Sequence, residues 1–158
     1  MLEFAPSAAV RVTERLSVGA TMFIGNGFLD GPFVGDGAMT SAYALRGGVG
    51  INYALTDATS LGAYYQSVQR FRFKDEVRLQ LLDGSFDITR DVHLSMPQTV
   101  GLGIANTSLM EGKLLLATDV LFLDWSSASL FRNIYRPQWV LQAGTQYSLN
   151  PPKRPQSG

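Results

Sequence analysis

The sequence predicts an all-β protein, an antiparallel transmembrane β-barrel portion of about seven strands in a meander, with short periplasmic turns and long extracellular loops. Three observations predict it. Seven stretches alternate large apolar residues with small or polar ones, the linkers between them are alternately short and long, and aromatic rings stand at the ends of the apolar faces.

The first hairpin pairs Phe4 to Val12 with Leu16 to Ile24 through Thr13, Glu14 and Arg15. Phe4, Ala8, Val10 and Val12, then Leu16, Val18, Ala20, Met22 and Ile24, share one face, and Arg11, Ser17, Gly19, Thr21 and Phe23 lie on the other. A Gly-rich linker from Gly25 to Thr40 reads as a long loop, since Gly and Pro disfavour regular structure. The second hairpin joins Ser41 to Leu55 with Thr59 to about Phe73 through Thr56, Asp57 and Ala58. From Lys74 to Asp91 the chain is charge-rich, and Asp83-Gly84 reads as the turn of a small solvent-exposed hairpin. A third hairpin joins about Leu94 to Asn106 with Lys113 to Asp124 around Leu109, Met110, Glu111 and Gly112, and Asp124 to Tyr135 is the next long loop. The last strand, Pro137 to Leu149, is the clearest, because a period of two puts Trp139, Leu141, Ala143, Thr145, Tyr147 and Leu149 on one face. Residues 1–149 thus read as one partial barrel and 150–158, NPPKRPQSG, as a disordered tail.

The rings on the apolar faces are spaced for a membrane. Trp139 and Tyr147 are about 20 Å apart along the membrane normal at about 3.3 Å rise and a tilt of about 40°, and Tyr43 and Tyr53 about 25 Å apart. These four are the expected girdle residues. An open sheet edge in lipid leaves backbone groups unpaired, and bacterial barrels have even strand numbers, so seven strands read as part of a larger barrel.

Composition narrows the function. The 158 residues carry 13 Lys and Arg against 13 Asp and Glu, so there is no electrostatic case for nucleic acid. The absence of cysteine and the single histidine, His93, leave no metal site to argue. Asp75 with Glu76 and Asp83 with Asp87 are paired carboxylates in a charge-rich loop without the apolar setting that would raise one pKa, so no enzyme is expected. No cofactor is expected either.

Several segments together resemble the FadL/TodX family of outer-membrane long-chain fatty-acid and hydrocarbon transporters. They are APSAAVRVTERLSVGA (Ala5 to Ala20), GVGINYALTDATSLGAYYQS (Gly48 to Ser67), LSMPQTVGLGIA (Leu94 to Ala105) followed by ATDVLFLDWS (Ala117 to Ser126), and PQWVLQAGTQYSL (Pro137 to Leu149). The resemblance implies passive uptake of long-chain fatty acids or other hydrophobic small molecules across the bacterial outer membrane. It also implies a fourteen-stranded barrel, monomeric when complete, with an N-terminal hatch and a lateral opening; neither the hatch nor the other half is seen in this sequence. The rival readings are a small structural or adhesive outer-membrane barrel and a soluble lipid-binding β-barrel with its apolar face inward.

If the small and polar faces point inward, Phe23, Tyr64, Val68, Leu115, Leu121, Leu123 and Val140 interrupt them with an apolar lumen track suited to a greasy ligand, or to packing against a hatch. Arg11, Arg46 and Asp119 share the inward parity at membrane depth. Arg46 or Arg11 is a candidate for anchoring a ligand carboxylate, or one of them for an internal ion pair with Asp119. The outer-loop residues Phe28, Phe33, Leu130 and Phe131 are apolar where polar ones are usual, and the resemblance implies a first capture site there. The expected partners are outer-membrane lipid and a hydrophobic small molecule.

Overall fold

The computed structural model describes residues 1–29, 40–80, 86–128 and 135–149, and for residues 29, 40, 74–80 and 86–91 the backbone only. The strands are β1 (Leu2–Phe4), β2 (Ser7–Arg11), β3 (Leu16–Leu29), β4 (Thr40–Ala54), β5 (Thr59–Gln66), β6 (Gln69–Gln80), β7 (Phe86–Met96), β8 (Gln98–Leu109), β9 (Leu114–Asp124) and β10 (Gln138–Tyr147). β1 and β2 both pair with β3, and the sheet continues through β4, β5, β8, β9 and β10, antiparallel throughout. With β1 and β2 sharing one stave, this is a curled wall of seven staves, half of a barrel. β6 and β7 form a separate two-stranded sheet.

The period of two holds across the whole wall. Leu102 of β8 stands beside Val120 of β9, which stands beside Leu141 of β10, and on β3 and β4 Val18 meets Ile51 and Ile24 meets Leu45. This set is on the convex face, where Leu141 is 79% and Leu102 59% exposed. The four aromatics expected to form girdles stand on it, Tyr43 and Trp139 toward the long-loop rim and Tyr53 and Tyr147 toward the short-turn rim. Trp139 packs on its cross-strand neighbour Phe122 with ring centroids 4.8 Å apart. The opposite parity is concave and carries glycine and small polar groups, so the apolar face points outward. That is the reverse of a soluble lipid-binding barrel.

The tight connections lie where the spacing puts them. Between β2 and β3, the Val12 and Thr13 amides donate to the Leu16 carbonyl, and Thr13 Oγ1 accepts from the Leu16 amide. Between β8 and β9, Met110, Glu111 and Gly112 all take positive φ in a short 3-10 turn; at Gly112, with φ of 85°, the missing side chain removes the strain.

The expected strand limits need four corrections, two of them at prolines. The stave predicted from Phe4 to Val12 breaks between Phe4 and Ser7, because Pro6 has no amide for the ladder; its carbonyl still accepts from the Met22 amide at 3.0 Å. Leu94 to Met96 belong to β7 rather than β8, and Pro97 marks the break. Gly25 to Leu29 continue β3 rather than begin a loop, paired residue by residue with Thr40 to Ala44. Finally, β5 ends at Gln66 instead of running on to Phe73.

Past Ser67 and Val68 the chain turns onto the concave side. The Ser67 amide donates to the Gly47 carbonyl at 2.8 Å, and Gln69 Nε2 donates to the Ala44 carbonyl at 3.2 Å. Phe71 and Phe73, each 1% exposed and stacked with centroids 6.2 Å apart, then pack on Ala42 and Ala44 with Val92, Leu94 and Met96 around them. Gln69, Phe71, Phe73 and Ser95, which flank the hairpin predicted over 74–91, are thus the largest fully buried side chains among the described residues; of that hairpin only the backbone of 74–80 and 86–91 is described. Its predicted turn at Asp83-Gly84 lies outside the described residues, as does the tail 150–158.

Candidate ligand passage on the concave face

The glycines decide where the concave face is hollow. Gly19 of β3 faces Gly50 of β4, and Gly62 of β5 faces Gly103 of β8, so neighbouring staves meet there without side chains. Above this floor lies a hollow of about 640 Å³, within the range of small-molecule sites. Phe23, Tyr64 and Leu121 contribute the large apolar surface, and Ser7, Ser17, Thr21, Asn52 and Gln66 the neutral polar groups. Ser7 Oγ and Thr21 Oγ1 satisfy each other at 2.9 Å.

Two side chains lie down on the glycines beside them. A Cβ at Gly101 would collide with the Tyr64 ring, and a Cβ at Gly103 with the Asp119 carboxylate. Phenol and carboxylate thus lie side by side along β8, each filling the space that a glycine leaves.

The predicted lumen track divides. Phe23, Tyr64 and Leu121 come together in the hollow, whereas Leu115 lines a smaller recess of about 170 Å³ near the Thr56–Thr59 turn. Val68 sits at the break before β6. Leu123 and Val140 are half-buried on the wall, beside Gln138 and Leu121 respectively, and neither lines the hollow.

The charged residues separate as well. The internal ion pair of Arg46 is with Glu3 rather than Asp119, its Nη2 lying 3.6 Å from Glu3 Oε2. The guanidinium carbon also lies 4.5 Å from the centroid of the Phe23 ring, which adds cation–π attraction. Glu3 has inward parity two staves away, opposite Gly25 of the intervening β3. It escaped notice because the three-residue strand carrying it has no periodicity of its own. Arg11 is exposed near the short-turn end of β2 and does not line the hollow. Asp119 lines it and makes no hydrogen bond or ion pair among the described residues.

At the long-loop rim a polar relay ties four staves together. Tyr65 Oη–H donates to Gln98 Oε1 at 3.2 Å, and Gln98 Nε2 to Asp124 Oδ2 at 2.7 Å. Asp124 Oδ1 accepts from the Ser126 amide at 3.1 Å, and Trp125 Nε1–H donates to Gln138 Oε1 at 3.1 Å. Among the expected capture residues, Phe28 belongs to β3 and is 50% exposed, while Phe33, Leu130 and Phe131 lie outside the described residues. The side chains of Asp75, Glu76, Asp83 and Asp87 lie outside them too.

No protein-family model matches the chain, and a search of characterised protein sequences returns no significant match. Solved structures do match. The toluene transporter TodX of Pseudomonas putida superposes with a TM-score of 0.66 at 18% identity over 94% of this chain and 51% of its own. The toluene transporter TbuX of Ralstonia pickettii gives 0.64 at 20% over 91% and 50%. A FadL homologue of Pseudomonas aeruginosa gives 0.59 at 16% over 94% and 46%. The chain spans about half the length of these proteins, and its fold is that of a partial FadL-type β-barrel.

Proposed function

We propose that this chain, folded as half of a FadL-type barrel, forms part of the wall of an outer-membrane channel through which hydrophobic small molecules diffuse passively. The observation that carries the reading is the hollow on the concave face, where Phe23, Tyr64 and Leu121 converge above a glycine floor while the apolar belt faces away from it. A water-filled pore has no use for such a surface, whereas each methylene buried there contributes about 0.8 kcal/mol to holding a ligand. The toluene transporters of the same fold support a hydrophobic substrate, and the convex belt with its aromatic rims suits outer-membrane lipid.

The rest of the wall must differ from a second copy of this half. Seven antiparallel staves make β2 and β10 run in the same direction, so a copy would meet each edge in a parallel seam. An odd number of additional strands closes the barrel antiparallel throughout, in keeping with the even strand numbers of such barrels. The complete barrel we propose is closed by a single chain.

Substituting Leu121→Asn in the full-length protein should lower uptake of labelled toluene by about three- to tenfold, equivalent to roughly 1 kcal/mol of apolar contact. Leu123→Asn, two residues along the same strand but off the hollow, should have a clearly smaller effect. Surface levels, followed by heat-modifiable gel mobility, should be normal for both. Equal loss in the two variants, or none in Leu121→Asn, would remove the hollow from the ligand path.

A further inference from the structure

We infer that Asp119 is a charge filter, admitting neutral apolar ligands to the hollow and turning carboxylates away; this rests on the channel reading above. Among the described residues that line the hollow, Asp119 is the only one with a charge, and no hydrogen bond or ion pair within the described residues neutralises it. Neither the two inward arginines of the wall nor Arg70 and Arg72 of β6 line the hollow. Arg46 is held between Glu3 and the Phe23 ring, outside the lining, and Arg11 lies exposed toward the short-turn end of β2.

The local geometry keeps the carboxylate in place. It lies over Gly103, where any Cβ would displace it, and that glycine faces another, Gly62, so the wall beneath is bare backbone. Leu121 follows Asp119 on the same face of β9, about 7 Å along the strand. A ligand resting on Leu121 is therefore within reach of the Asp119 field, in surroundings where the neighbouring apolar groups screen poorly. An aromatic hydrocarbon loses nothing there, whereas a carboxylate of the same size meets a like charge with no cation among the described lining residues to offset it. The arginine that would suit a carboxylate by its chemistry is already occupied.

The test compares toluene with benzoate, one skeleton without and with a charge, in porin-deficient cells producing the full-length protein at pH 7, where benzoate is ionised. The readout is the ratio of benzoate to toluene uptake. In the native protein toluene should enter at least tenfold faster than benzoate. D119N should raise the benzoate-to-toluene ratio at least tenfold, and D119E, which restores the charge, should return it toward the native value. Native toluene uptake with the same ratio in D119N would overturn the filter while leaving the channel intact. Native toluene uptake no greater than in cells lacking the protein would overturn the channel reading itself.

Discussion

Leu102→Arg or Leu141→Arg in the full-length protein should prevent barrel assembly, and Gln142→Arg should not. By the rules of a water-soluble surface the first two would be harmless, since Leu102 is 59% and Leu141 79% exposed and substitutions at exposed sites usually move stability by about 0.5 kcal/mol or less. The opposite is expected because, on the channel reading proposed above, this exposure is to hydrocarbon. Both residues belong to one apolar row that crosses β8, β9 and β10 through Val120, near the middle of each strand. An arginine at mid-bilayer depth on the lipid face costs about 2–4 kcal/mol, a sizeable share of the stability of any domain. Gln142 is the neighbour of Leu141 but has the other parity and pairs with Asp119, so an arginine there points into the lumen beside a carboxylate. The assembled fraction, read from heat-modifiable gel mobility of outer-membrane preparations, should collapse for the two leucine variants only. Normal assembly of Leu102→Arg and Leu141→Arg would mean that the convex face does not meet lipid.

The contrast between Leu141 and Gln142 was legible in the sequence, because a period of two needs no partner to be seen. Which face looks outward was legible only from secondary signs, the aromatic rings at strand ends and the inequality of the linkers. The hollow was not legible, for a specific reason. Gly19, Gly50, Gly62 and Gly103 are visible as inward residues, but that they meet in pairs depends on the register between strands, which alternation within a strand leaves undetermined. For the same reason Phe23 and Leu121 could be gathered into one track with Leu123 and Val140 without any means of separating them. The partner of Arg46 was missed because Glu3 sits on a three-residue strand beyond a proline.

The largest misreading concerns β6 and β7, and it leads to the second strong expectation. Alternation is plain in Gln69-Arg70-Phe71-Arg72-Phe73, which in the sequence reads as the end of the wall strand from Thr59, with the charge-rich segment from Lys74 to Asp91 beyond it as a solvent-exposed hairpin. Gly25 and Gly27 read in the sequence as the start of a loop. In the structure each explains the other, since a two-stranded hairpin is at best marginally stable alone and this one depends on its contact with the wall. A Cβ at Gly27 would stand 3.1 Å from both Phe71 and Phe73, and one at Gly25 would stand 2.5 Å from Gln69 Nε2 and 2.9 Å from Phe71 Cζ. Truncating a buried phenylalanine costs about 3–5 kcal/mol, so Phe71→Ala with Phe73→Ala should detach the hairpin from the concave face while leaving the wall ladder untouched. Gly27→Val should do the same from the opposite side of the contact, keeping both phenylalanines. Trypsin applied to intact cells should then cleave after Arg70 and Arg72 at least tenfold faster in both variants, because a protease needs the local chain released from its packing. Equal acceleration by the two routes would assign the protection to the packed interface between hairpin and wall. Native-like protection in the double alanine variant would mean that Phe71 and Phe73 do not hold the hairpin there.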